Sequence, residues 1–208
     1  MGIPSEGFFF CQCYNANMSK RVIIVHGWGD SPNGAWFPWL KSELEQRGFE
    51  VHIPSMPNPD YPKIESWVGK MRTLSEKPGP DTILVGHSIG CQTILRFLEM
   101  FQPTPRIAGA VFVAPWLTLK SLDSAEDEAT AKPWLTRPIN FSGVKSRVPK
   151  IIAIFSDNDP YVPFENEGKF KQLLGAETMM LHDRKHFADD EGTMELPEAL
   201  NAVLEMAK

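Results

Sequence analysis

The chain has 208 residues, of which 42% are hydrophobic and 23% charged, and its formal net charge is −5. That length suits one folded domain with a core of its own. Its lysines and arginines are scattered, which argues against a nucleic-acid-binding surface and against attraction to an anionic membrane; no run reaches the ~18 apolar residues of a membrane span.

Residues 1–17 differ in pattern from the rest of the chain. They contain Phe8, Phe9 and Phe10 but neither the basic start nor the long apolar stretch of a secretory signal. They read as an N-terminal extension or a cloning scar ahead of a single domain over 18–208. An extra edge strand around Gly7 to Tyr14 is the other reading. The cysteines, Cys11, Cys13 and Cys91, are odd in number, so a disulfide framework is not expected and the chain reads as cytoplasmic. No further ligands follow Cys11 and Cys13 at zinc-site spacing, so no metal is expected.

From Val22 the chain repeats one kind of segment: a short apolar run, a loop, then a helical pattern. Val22 to His26 is the first strand, and Ala35 to Arg47 the first helix, with Trp36, Leu40 and Leu44 on one face. Phe49 to Ile53 is the second strand. Pro54, Pro57, Pro59 and Pro62 then force a loop before a helix over Ile64 to Leu74. Thr82 to Gly86 is the third strand, followed by a helix from Ile89 to Phe101. Strands over Ile107 to Ala114, Ile151 to Phe155 and Thr178 to Leu181 follow, with helices over Phe164 to Leu174 and Leu196 to Met206. The irregular stretch from Leu117 to Val148 reads either as a cap or as a solvated loop with one short helix.

Uniformly apolar strands alternating with helices predict an α/β fold, a mostly parallel six-stranded sheet covered by helices on both faces. Ligands of such sheets bind beyond the carboxyl ends of the strands. The loops at Trp28, Pro54, Ser88, Trp116, Asp157 and Arg184 should therefore open to one side.

Those loops carry the chemistry. Gly86-His87-Ser88-Ile89-Gly90 fits G-x-S-x-G and lies between a strand and a helix, the context of a nucleophile elbow. A sharp turn there leaves no room for side chains two positions either side of Ser88. His26-Gly27-Trp28-Gly29 ends the first strand, where a backbone N–H can help hold an oxyanion. The backbone donors are assigned to Trp28 and to Ile89. Asp157 and Asp159 both follow the fifth strand. Asp159 is favoured as the acid because it stands in the Asp-Pro-Tyr-Val-Pro frame, and Asp157 is expected to bond loop N–H groups. His186 is favoured over His182 as the base because it has more reach beyond the last strand. Ser88, Asp159 and His186 then fall in the chain order Ser, Asp, His. Met56, Trp116, Trp134 and Phe187 are candidates for an apolar substrate pocket, although large apolar side chains are more often core. His52 and His87 are read as structural.

The strings VHGWGDSPNGAWFPWL, VGHSIG, DNDPYVPF and KHFADDEGTMELP resemble the retinoblastoma-binding protein nine family, which includes the YdeN-like bacterial hydrolases. The resemblance covers nearly everything after Met18. It implies a compact α/β-hydrolase fold and serine-hydrolase or esterase activity, with nucleophile, acid and base on Ser88, Asp159 and His186. Two departures stand out. Lys185 occupies a position before the histidine where the family often has Gly. No cysteine has Leu two residues before it, so the Leu-x-Cys-x-Glu motif is missing and retinoblastoma-protein binding is not expected. The reaction implied is cleavage of a small acyl ester or amide without cofactor. Transfer of the acyl group to another acceptor, or an interaction protein with a vestigial triad, are the alternatives.

Overall fold

The computed structural model describes residues 20–74, 78–100, 106–120 and 122–208. Cys11, Cys13 and the two readings of residues 1–17 lie outside that range.

Alternation along each strand sets the architecture. In β1 (Arg21–Val25), Ile23 and Val25 point to one core layer, Val22 and Ile24 to the other. Between β1 and the next central strand the chain forms α1 (Phe37–Glu45), the short β2 (Glu50–His52) and α2 (Ile64–Leu74). β3 (Thr82–His87) divides its residues in the same way, Leu84 against Ile83 and Val85. It runs into α3 (Ile89–Glu99), and β4 (Gly109–Val113) follows. The remaining elements are α4 (Ala125–Thr136), α5 (Phe141–Arg147), β5 (Ile151–Ser156), α6 (Glu165–Leu174), β6 (Glu177–Leu181) and α7 (Pro197–Met206). Strands with both faces apolar need cover on both, and helices supply it. Residues of α1 and α7 pack on one side, and those of α2, α3, α5 and α6 on the other.

The sheet order is β2-β1-β3-β4-β5-β6, and every pairing is parallel. The expected six-stranded α/β-hydrolase sheet is present. From β1 the chain goes outward to β2 and then returns to the other side of β1 as β3. The loops after β1 and β3 therefore diverge, opening a crevice at the carboxyl ends of the strands.

The stretch from Leu117 to Val148 is neither bare loop nor one short helix: it holds α4 and α5. It is docked on the body. Arg96 of α3 is buried and donates to the carbonyls of Trp134 and Arg137, both at 2.9 Å. A cation there also suits the negative end of α4. The Trp134 indole donates to the Pro62 carbonyl at 3.0 Å and meets Trp67 edge to face. No described helix is long and apolar enough to cross a membrane.

Candidate active site

β3 ends at His87, and Ser88 takes φ 50° and ψ −118° before α3 begins. A non-glycine residue at such a positive φ is strained, and the surroundings must hold it. They do so by close packing. A Cβ at Gly86 would sit 2.8 Å from the Cys91 nitrogen, and one at Gly90 would overlap the carbonyl oxygens of Val25 and His26. The Ser88 N–H is held by the Val113 carbonyl at 2.9 Å.

From this turn Ser88 Oγ reaches His186 Nε2 at 2.9 Å, and His186 Nδ1 lies 2.8 Å from Asp159 Oδ2. The other carboxylate oxygen of Asp159 accepts the N–H groups of Tyr161 and Val162, at 2.8 and 2.9 Å. Lys120 donates to the Asp159 carbonyl. A carboxylate only accepts, so its partner Nδ1 carries the proton and Nε2 is free to take the one on Ser88. The three residues expected from the sequence therefore stand together as a Ser-His-Asp triad capable of acyl-enzyme chemistry.

Asp157 takes a different place. Its carboxylate accepts the N–H of Asp183 at 3.0 Å and contacts His182 Nδ1 at 2.6 Å. The Asp183 amide and His182 hold its carboxyl below the usual range, and Asp157 in turn raises the exposed His182. This second Asp–His pair ties the loop after β5 to the loop after β6 without facing Ser88.

Glu191, not singled out from the sequence, and His87, read from it as structural, hold the base. The His186 and Ala188 N–H groups both donate to Glu191 Oε2, at 2.7 and 3.1 Å. His87 Nε2 donates to the His186 carbonyl at 2.8 Å. Burial, with the neighbouring His186 adding to it, pushes the His87 imidazole down to about 3, so it stays neutral. Tyr161 adds an edge-on ring contact to His186, centroids 5.2 Å apart.

The loop after β1 is stapled to the proline-rich loop. Met56 N–H donates to His26 Nε2 at 3.1 Å, so His26 Nδ1 donates to the Gly27 carbonyl at 2.9 Å. Gly29 N–H and the Trp28 indole donate to the carbonyls of Pro59 and Asp60, both at 2.9 Å. The backbone N–H groups of Trp28 and Ile89 have no hydrogen-bond partner among the described residues.

A cavity of about 690 Å³ opens over Ser88, His87 and His186. Trp28 and Trp116 line it; Met56, Trp134 and Phe187 do not. Met56 and Trp134 belong to the core layer beneath α2 and α3, and Phe187 turns inward to the layer with Trp36 and Phe37. Leu119, Leu122, Asp123 and Asp127 form part of the wall, so the stretch after β4 does border the site.

The family model described as serine hydrolase matches residues 22–205. The chain belongs to this family. YdeN of Bacillus subtilis strain 168 is 35% identical over 182 residues, covering 86% of this chain and 92% of YdeN. The serine hydrolase RBBP9 of Rattus norvegicus is 28% identical over 181 residues, 85% of this chain and 91% of its own. The crystal structure of the ydeN gene product superposes with a TM-score of 0.83 at 29% identity, over 90% of this chain and 98% of that one. Est1E of Butyrivibrio proteoclasticus, at 14% identity and a TM-score of 0.69, covers 93% of this chain and 91% of its own and shares the fold. The YdeN-like resemblance of the sequence is thus borne out, with RBBP9 more distant.

Proposed function

We propose that the protein hydrolyses small acyl esters or amides in the cytoplasm through an acyl-enzyme on Ser88. One observation carries this reading: the continuous contact from Asp159 through His186 to Ser88 at the floor of a cavity. Ser88 Oγ attacks the carbonyl while its proton passes to His186 Nε2. His186 then protonates the leaving group and next takes a proton from the water that releases the acyl group. The N–H groups of Trp28 and Ile89, without a partner among the described residues, are the donors assigned to the oxyanion, one on each side of the crevice. Substrate contacts fall to Trp28, Trp116 and Tyr161 on the wall, while Met56, Trp134 and Phe187 support the site from the core.

The wall also carries Asp30, Asp123, Asp127, Asp189, Asp190 and Glu191, with no lysine or arginine among its described residues. Burial lifts the Asp30 carboxyl above its usual range, and Asp189 adds to the effect. Such a wall repels anionic substrates.

Ser88→Ala tests the reading. The variant should fold and lose ester turnover by on the order of 10⁴ to 10⁶. Turnover above about a tenth of wild type would refute it. Product analysis in the presence of an alcohol acceptor separates hydrolysis from acyl transfer.

A further inference from the structure

Ser88 Oγ has a second side-chain neighbour besides the base. The Trp116 indole Nε1 lies 3.3 Å from it. We infer that Trp116 is a fourth catalytic residue, whose indole N–H donates to Ser88 Oγ and stabilises charge on that oxygen as it attacks and as it leaves. The inference rests on the acyl-enzyme reading of Ser88.

The contact is built rather than incidental. Trp116 is 1% exposed. Its carbonyl accepts the Gln92 side-chain amide of α3 at 2.8 Å. The next two N–H groups, of Leu117 and Thr118, donate to Asn166 Oδ1 of α6 at 2.7 and 3.1 Å. Asn166 is itself fully buried, and its amide nitrogen donates to the carbonyls of Thr118 and Pro163, both at 2.9 Å. The segment is therefore fixed from two helices, and the ring is set where a buried indole N–H finds its acceptor. That acceptor is the nucleophile.

An indole N–H only donates. It therefore occupies a lone pair of Oγ, and the hydroxyl proton is left to point at His186 Nε2, the direction of proton transfer. When Oγ attacks, the O–H bond breaks toward His186 and the Oγ–carbon bond forms. The carbonyl π pair moves to its oxygen. In deacylation the carbon–Oγ bond breaks, its electron pair returns to Oγ, and His186 gives the proton back. Trp116 keeps its own proton throughout. At 3.3 Å the bond is long in the resting enzyme. It strengthens as negative charge gathers on Oγ, and only such differential binding accelerates the reaction.

Two variants separate the N–H from the ring: Trp116→Phe, and replacement of Trp116 by 3-benzothienylalanine, which keeps the bicyclic shape with sulfur for N–H. The measurements are kcat and KM on p-nitrophenyl acetate and the second-order rate of Ser88 labelling by a fluorophosphonate. Both variants should lose about tenfold or more in kcat and in labelling rate, with KM within about twofold. If Trp116→Phe fails to fold, the benzothienyl protein alone decides. A raised KM with wild-type labelling would mean a wall residue only and would overturn the inference while leaving the hydrolase reading intact. Failure of the wild-type protein to label would overturn both.

Discussion

His87 Nε2 donates to the backbone carbonyl of His186 across 2.8 Å, so the residue before the nucleophile holds the loop that carries its base. The bond needs a proton on Nε2, and burial keeps the ring neutral. Its other nitrogen, Nδ1, is buried without a partner among the described residues.

This geometry makes the fold acid-sensitive. The His87 imidazole is pushed from 6.5 to about 3. Burial also lowers His26. Below pH 6.5 the unfolded chain protonates His87 and the folded chain does not. The contribution of His87 is therefore complete above that pH and falls as the pH drops toward 3, by about 1.4 kcal/mol per unit. Urea titrations across this window should show the slope, and His87→Gln should flatten it. An unchanged slope in that variant would refute the assignment.

Asp159→Asn should be far more damaging than Asp157→Asn. An amide at position 159 can turn its NH₂ toward His186 and favour the wrong tautomer, a change that costs about 10⁴ in turnover in a well-studied triad. Asp157 meets His182 and the Asp183 amide instead, so its loss should leave turnover within about tenfold of wild type. Turnover against pH on one ester compares the two, and a reversed order would place the acid two residues earlier.

Gly90→Ala should destabilise by more than about 3 kcal/mol, because its Cβ would meet backbone oxygens that cannot rotate away, His26 O at 2.8 Å among them. Gly69 of α2 is the control. A Cβ there meets nothing within 4 Å, and Gly69→Ala should stabilise by roughly 0.5–1 kcal/mol. Denaturant midpoints check both, and a tolerated Gly90→Ala would contradict the packing of the elbow.

The acidic wall sets a charge preference. An acyl ester ending in a carboxylate should show kcat/KM about tenfold or more below its neutral isostere. Raising the salt from 0.05 to about 1 M should narrow the gap, since the Debye length falls to about 3 Å. Equal rates for the two esters at low salt would show that the six carboxylates lie too far from the bound acyl group to matter.

Much of the fold and the triad was legible in the sequence because both depend on local pattern. The four central strands are apolar on both faces, and the elbow, the Asp-Pro-Tyr-Val-Pro frame and a histidine beyond the last strand each mark a loop end. α4 was not legible: it buries only Ala131 and Trp134, holds Pro133, and leaves no apolar stripe to read. Met56, Trp134 and Phe187 look the same on paper whether they line a cavity or back it. Phe187 turns inward through φ 62°, a backbone choice that its residue type does not announce. The roles of His87 and Glu191 depend on how the loop after β6 folds back, which spacing does not encode.

The base hangs from an edge of the sheet. Among the described residues β6 pairs only with β5, and all five of its residues are partly or fully exposed. Opening that one strand would free the loop bearing His186 while the nucleophile stayed seated between β1 and β4. Local opening of this kind costs less than global unfolding. On heating, the enzyme should therefore fall silent before it melts. Amide hydrogens of residues 177–181 should exchange ahead of those in β3, on the timescale of inactivation rather than of denaturation.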